Sequence, residues 1–210
     1  MEFNRESFFE GEILLINKPL NWTSFQVVNK IRWLIKSRFN IKKIKVGHAG
    51  TLDPLAEGLL IICTGKMTKK IHQFQNLDKI YTGKFFLGAT TPSFDLETEI
   101  NSKKSIKNIT EKLISKTLKS FKGKITQTPP IFSAIKHNGK KLYEFARKGE
   151  TVKIKEREVL ISEFLITTAH SAELAEFSIS TPELTQVPSP PISELIVNFA
   201  VGESVPIPTF

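Results

Sequence analysis

Short apolar runs alternate along the chain with polar breaks marked by glycine and proline, a rhythm that predicts strands and amphipathic helices in turn. Ile13-Leu14-Leu15-Ile16, bounded by Gly11 and Pro19, reads as a buried strand. Beyond the turn Lys18-Pro19-Leu20-Asn21-Trp22, Thr23 or Ser24 can cap a helix. Its apolar positions Phe25, Val28, Ile31 and Ile35 fall three or four apart, with Lys30, Arg32, Lys36 and Arg38 on the other side. Residues 40–46 alternate as a strand does. Leu59-Leu60-Ile61-Ile62-Cys63 is a second buried run ending at Gly65, and Thr68 to Gln75 predicts a short helix with Ile71 and Phe74 on one face and His72 at the surface.

The later chain continues the alternation. Lys79 to Gly88 predicts a strand with Tyr81, Phe85 and Leu87 on one face and Lys84 on the other. Ile106, Ile109, Leu113, Thr117 and Phe121 mark a helix over 105–122 that Gly123 stops. Lys124 to Gln127 reads as strand. A proline bend and a glycine-broken basic loop then lead to a helix with Leu142 and Phe145 inward. Strands and helices joined by hairpin-length links predict an α+β fold with a mixed, mostly antiparallel sheet and flanking helices.

Composition narrows the partners. At 210 residues, 40% hydrophobic and 24% charged, the chain has room for one good core. The net charge of +9 points to a polyanion, nucleic acid before membrane. Residues 1–157 hold all 30 Lys and Arg against 14 acidic residues, a balance of +16, whereas 158–210 hold seven Glu and no Lys or Arg. Nucleic acid is therefore expected to meet the first three-quarters. Cys63, the one cysteine, lies in an apolar run, which excludes an internal disulfide and predicts a buried inert thiol. No apolar run reaches the ~18 residues that span a bilayer, and the N-terminus lacks a signal-peptide pattern. A cytoplasmic monomer is expected.

Candidate chemistry concentrates in Gly47-His48-Ala49-Gly50-Thr51-Leu52-Asp53-Pro54-Leu55-Ala56-Glu57-Gly58. Three glycines, a histidine and two carboxylates sit between a lysine-rich segment and an apolar run, so the backbone must turn tightly. Asp53 before Pro54 would serve as an ordinary helix N-cap, but capping needs one side chain and this motif fixes about ten positions. His48 reads either as a turn histidine or as a group that fills the gap left by a displaced base. The four histidines show no metal-ligand spacing, so no metal is expected. Asp95, Glu97 and Glu99 at alternate positions read as a solvated edge before a cation site.

Gly47 to Gly58 resembles the signature of the TruB family of tRNA pseudouridine synthases, whose catalytic aspartate stands in a Gly-His-x-Gly-x-Leu-Asp-Pro context. Lys18, Pro19, Thr23 and Ser24 resemble the family's first motif, Lys-Pro-x-Gly-x-Thr-Ser, with Asn21 in place of glycine. Asn tolerates left-handed backbone best among non-glycine residues, so the turn survives the exchange. Lys79, Tyr81, Leu87 and Gly88 match a Lys-x-Tyr strand ending in Leu-Gly. Residues 127–149 follow the family's Gln-x-Pro-Pro segment almost position for position, with Phe132 where tyrosine is usual.

The resemblance implies the pseudouridine synthase fold over residues 11–180. It implies an isomerase that extrudes a uridine at position 55 of the tRNA T-loop and converts it to pseudouridine without a cofactor. Asp53 would be the nucleophile. Tyr81 would stack on the flipped base, His48 would fill the vacated space, and Lys18, Lys136 and Arg147 would hold substrate, the last two through phosphates. The family's late Tyr-Ile-Arg motif, whose arginine pairs with the catalytic aspartate, is absent. Ser178-Ile179-Ser180-Thr181 and a proline-rich tail, 181–210, stand there instead. That absence keeps open an RNA-binding module without turnover. A glycosidase using Asp53 with Glu57 is the third reading; it needs a helix there, which Gly58 opposes.

Overall fold

The computed structural model describes residues 3–171 and 174–181. They fall into two compact units divided between Leu77 and Asp78. The proline-rich stretch 182–210 lies outside the described residues.

In the first unit, helix α1 (Arg5–Glu10) precedes strand β1 (Ile13–Lys18), helix α2 (Ser24–Phe39), strand β2 (Val46–His48), strand β3 (Gly58–Thr64) and helix α3 (Ile71–Gln75). The strands form an antiparallel sheet in the order β1-β3-β2, Ile13 facing Cys63 and Lys18 facing Gly58 at opposite ends of the first pairing. β1 alternates half-buried and buried positions, Leu14 and Ile16 entering a core with Val27, Val28, Ile35, Leu60 and Ile62. Cys63 is fully buried, and burial pushes its thiol up to about 11.

The helix begins where the sequence indicated. Thr23 caps it, with Gln26 completing a reciprocal capping box. Of the expected inward face, Val28 and Ile35 are buried and Ile31 packs against the core; Phe25 departs from it. Val27 is buried, whereas Phe25 is 61% exposed. The alternation over 40–46 does not form a strand before Val46, because Asn40 ends α2 in the left-handed conformation and Ile41 and Ile44 both turn into the core.

Thr64, at the end of β3, is fully buried. Its hydroxyl accepts from the Glu12 amide at 2.9 Å and donates to the Phe8 carbonyl at 3.0 Å.

The second unit contains β4 (Lys79–Phe86), β5 (Ala89–Thr90), β6 (Ser102–Lys103), α4 (Glu111–Leu118), β7 (Gly123–Gln127), β8 (Lys136–His137), β9 (Lys140–Lys141), α5 (Leu142–Ala146), β10 (Arg157–Ile161), β11 (Glu163–Ser171) and β12 (Leu174–Thr181). All described pairings are antiparallel: β11-β12-β4, β10 with β7, β5 with β6, β8 with β9. A small core of Ile161, Phe164 and Ile179 takes Phe85 and Leu118 against it.

Here the expected helix over 105–122 is shorter. Thr110 caps α4 through the Leu113 amide, and Gly123, with φ +86°, opens β7. The acidic stretch around Asp95 is a series of turns, with the Asp95 carboxylate accepting from the Glu97 amide at 2.9 Å. Its carboxylates therefore do not line one side of an extended edge.

Thr64→Val keeps shape but orphans the part-buried Glu12 amide and the buried Phe8 carbonyl. Each such group costs roughly 1–3 kcal/mol, so urea melts should show a loss of that order or more with an unchanged m-value.

Candidate active site

Asp53 does not cap a helix. It opens a turn closed by the Ala56 amide donating to the Asp53 carbonyl at 3.0 Å, and its side chain is half-buried. The turn interpretation removes the helical face that the glycosidase reading required of Asp53 and Glu57.

Both neighbours of Asp53 are tied to the segment that starts α2. The buried Ser24 hydroxyl donates to the Leu52 carbonyl at 3.0 Å and accepts from the Leu52 amide at 2.9 Å. On the other flank, the Asn21 amide donates to the Pro54 carbonyl at 2.7 Å. Asn21 has φ +63°, the left-handed geometry that the Asn-for-Gly exchange demands. The loop ends at Gly50 and Gly58, with φ +111° and +117°, which any other L-residue would adopt only with strain.

Lys18 ends β1 directly beneath this loop and is fully buried. Its ammonium donates to the Pro19 carbonyl at 2.9 Å and to the Trp22 carbonyl. Burial drives its pKa below the usual lysine range, while the Asp53 and then the Glu57 carboxylates pull it back up. Lys18 is thus a buried cation on which the Asp53 charge acts. His48 ends β2, half-buried, with Nδ1 against the Gly50 carbonyl. That contact fixes the ring at the opposite end of the loop.

The structure therefore brings Lys18, His48 and Asp53 into one unit. Tyr81, Lys136 and Arg147 belong to the other. Tyr81 lies half-buried on β4, opposite Ile179 of β12. Lys136 is exposed on the β8–β9 hairpin, where Asn138 and Gly139 take φ +48° and +83°. Arg147 is exposed after α5, its guanidinium 5.2 Å from the Tyr143 ring, which also lies 5.4 Å from the Lys141 ammonium. At the base of this segment Arg157 donates to the buried Gln127 side chain at 2.7 Å.

Sequence reasoning offered Ser24 only as an alternative cap to Thr23, and passed over Glu57 as a charge felt by Lys18. The Thr-Ser pair was the available signal: Thr23 suffices as the cap, which leaves the second hydroxyl to be explained. Among the described residues no three His, Cys, Asp or Glu side chains stand close enough to hold a metal ion.

The first unit thus presents a half-exposed carboxylate on a braced turn, its charge acting on a buried ammonium, on an antiparallel α+β scaffold. The fold matches a chain in the crystal structure of a Cbf5–Nop10–Gar1 complex, at TM-score 0.56 and 22% identity, over 88% of this chain and 44% of that one. It also matches a structure of an H/ACA RNP bound to a substrate RNA containing 2′-deoxyuridine, at TM-score 0.52 and 19% identity, over 85% and 40%. The chain thus spans less than half the length of these solved chains. Residues 36–187 match the TruB family pseudouridylate synthase N-terminal domain. The tRNA pseudouridine synthase B of Flavobacterium johnsoniae is 57% identical over 163 residues, 77% of this chain and 71% of that protein. That of Phocaeicola vulgatus is 52% identical over 168 residues, 80% and 72%. The chain belongs to the TruB family of pseudouridylate synthases.

The lowered Lys18 pKa fixes a sign. Between its folded value and the unfolded 10.5, the unfolded chain holds a proton that the folded chain has released, so stability rises with pH across that window. Urea melts from pH 7 to 10.5 should show the parent gaining stability relative to Lys18→Met; parallel curves would place the ammonium in solvent.

Proposed function

We propose that this chain converts uridine to pseudouridine in tRNA, at position 55 of the T-loop, with Asp53 as nucleophile on an extruded base. The observation that carries the reading is Asp53 itself. It stands in the family's loop, its two neighbours are bonded to residues 21 and 24, and its charge faces Lys18. The relatives' name, tRNA pseudouridine synthase B, supplies the RNA class.

The reaction is an isomerisation. The bond from C1′ to N1 breaks, a bond from C1′ to C5 forms, C5 gives up a proton and N1 gains one. Atoms and electrons balance without a cofactor. A carboxylate suits the first step, at C1′ or on the uracil ring. The base must first leave its stack, at a cost of a few kcal/mol. Stacking on Tyr81 offsets that cost, and the same residue is suited to assist proton removal from C5. His48 fills the space the nucleotide leaves. Lys18 keeps the nucleophile charged by opposing its desolvation, and Lys136 and Arg147 contact backbone phosphates. The enzyme acts as a cytoplasmic monomer. That no helix of the described residues is long and apolar enough to cross a membrane agrees with a polyanion in solution as the partner.

The missing late arginine supports one competing reading, a module that binds the T-arm without turnover. Tritium release from a T-arm hairpin labelled at uridine C5 separates the two. The parent should release tritium, and Asp53→Asn should lose at least a thousandfold in rate while hairpin affinity changes less than threefold. Retained turnover in Asp53→Asn removes the nucleophile assignment; binding without release in the parent establishes the module.

A further inference from the structure

From Ile13 to Leu52 the chain carries eight Lys and Arg and no acidic residue. Lys18 is consumed inside the site, and Arg32 is bound internally to Asn29 and to the Val46 carbonyl. The remaining charges follow the outward side of the first unit. Val27, Val28 and Ile35 turn one face of α2 into the core, so a helical period of 3.6 directs Phe25, Asn29, Trp33 and Lys36 along the opposite face.

Two of these are large aromatic residues in an unusual position. Phe25 is 61% and Trp33 58% exposed. The Lys30 ammonium lies 4.8 Å from the Trp33 ring centroid. Beyond the helix, burial of Ile41, Ile44 and Val46 leaves Lys42, Lys43 and Lys45 exposed on the connection into β2. Exposed apolar side chains are ordinary when scattered singly, but two rings share this face, and every charged residue from Ile13 to Leu52 is a cation. Self-association through a two-fold would set those cations against one another. RNA meets both demands, with base faces for the rings and phosphates for the ammonium groups.

We propose that the outward face of α2, with Phe25 and Trp33 as stacking platforms and Lys30, Lys36 and the 42–45 connection as phosphate contacts, is a second RNA-binding surface, separate from the Asp53 turn. The rings lie about 12 Å apart along the axis, eight residues at 1.5 Å each, so they engage non-adjacent bases of an unpaired stretch. Phe25 directly follows Ser24, the buried residue that holds Leu52, so the face extends the grip on a substrate whose reacting uridine sits at the loop. The inference rests on RNA being that substrate.

The chain contains two tryptophans, Trp22 and Trp33, so Trp22→Phe leaves Trp33 as the sole indole. Its fluorescence should be quenched by a single-stranded uridine 12-mer. With an unmodified tRNA transcript, the double variant Phe25→Ala, Trp33→Ala should bind about tenfold more weakly. Lys30→Glu with Lys36→Glu should reduce the salt slope by about two. Turnover at saturating transcript should stay at the parent value in both. Phe25, Lys30 and Trp33 are exposed and Lys36 is half-buried, and circular dichroism melts confirm folding. Unchanged affinity with no quenching overturns the proposal. So does a dimer in solution that Trp33→Ala dissolves with RNA affinity intact, since that assigns the face to a second copy. Binding is read without turnover: a chain that binds through this face but does not isomerise leaves the surface standing and refutes only the chemistry at Asp53.

Discussion

The site depends on a single hydroxyl that serves two backbone groups. Ser24 donates to the Leu52 carbonyl and accepts from its amide, so the residue before Asp53 is bonded as though it were part of a sheet. Buried and 28 positions away in sequence, this pair does what a strand pairing cannot do in a loop whose glycines prevent regular structure. The Asn21 amide repeats the arrangement on the far side through Pro54. Asp53 is thereby held through the backbone of its two neighbours.

Charge follows from the same geometry. Pulling the chain back over the loop places Lys18 inside, where desolvation disfavours its ammonium and the two loop carboxylates oppose that effect. An isolated buried lysine would be a liability; here the charges of Asp53 and Glu57 offset part of its desolvation. The cation on which the Asp53 and Glu57 charges act comes from β1.

Much of this was legible in the sequence because local signals agreed with tertiary ones. Thr23 and Gln26 form a capping box that can be read by eye, and Asn21 takes the left-handed turn its replacement of glycine requires. The two runs around Leu14 and Leu60 became a paired core. What was not legible depended on long-range contacts. Periodicity placed Phe25 inward with Val28, Ile31 and Ile35; the last three hold, while Phe25 faces out and Val27 is buried instead. The alternation over 40–46 looked like a strand until the end of α2 forced Ile41 and Ile44 to the same side. The role of Ser24 required knowing that residue 52 lies against it, which no local pattern encodes. Asp95 shows the converse: its alternating carboxylates suggested an edge, and turn-forming bonds within the stretch prevailed.

Hydrogen exchange at two amides tests the central claim most directly, namely that Asp53 is positioned from both flanks by the start of α2. The Leu52 and Asn21 amides donate to Ser24 and Pro54 respectively, and both should exchange at least a hundredfold more slowly than unprotected amides. Ser24→Ala should release the two together while β3 stays protected. Rapid exchange at Leu52 in the parent chain, or an unaltered rate in Ser24→Ala, would contradict the account.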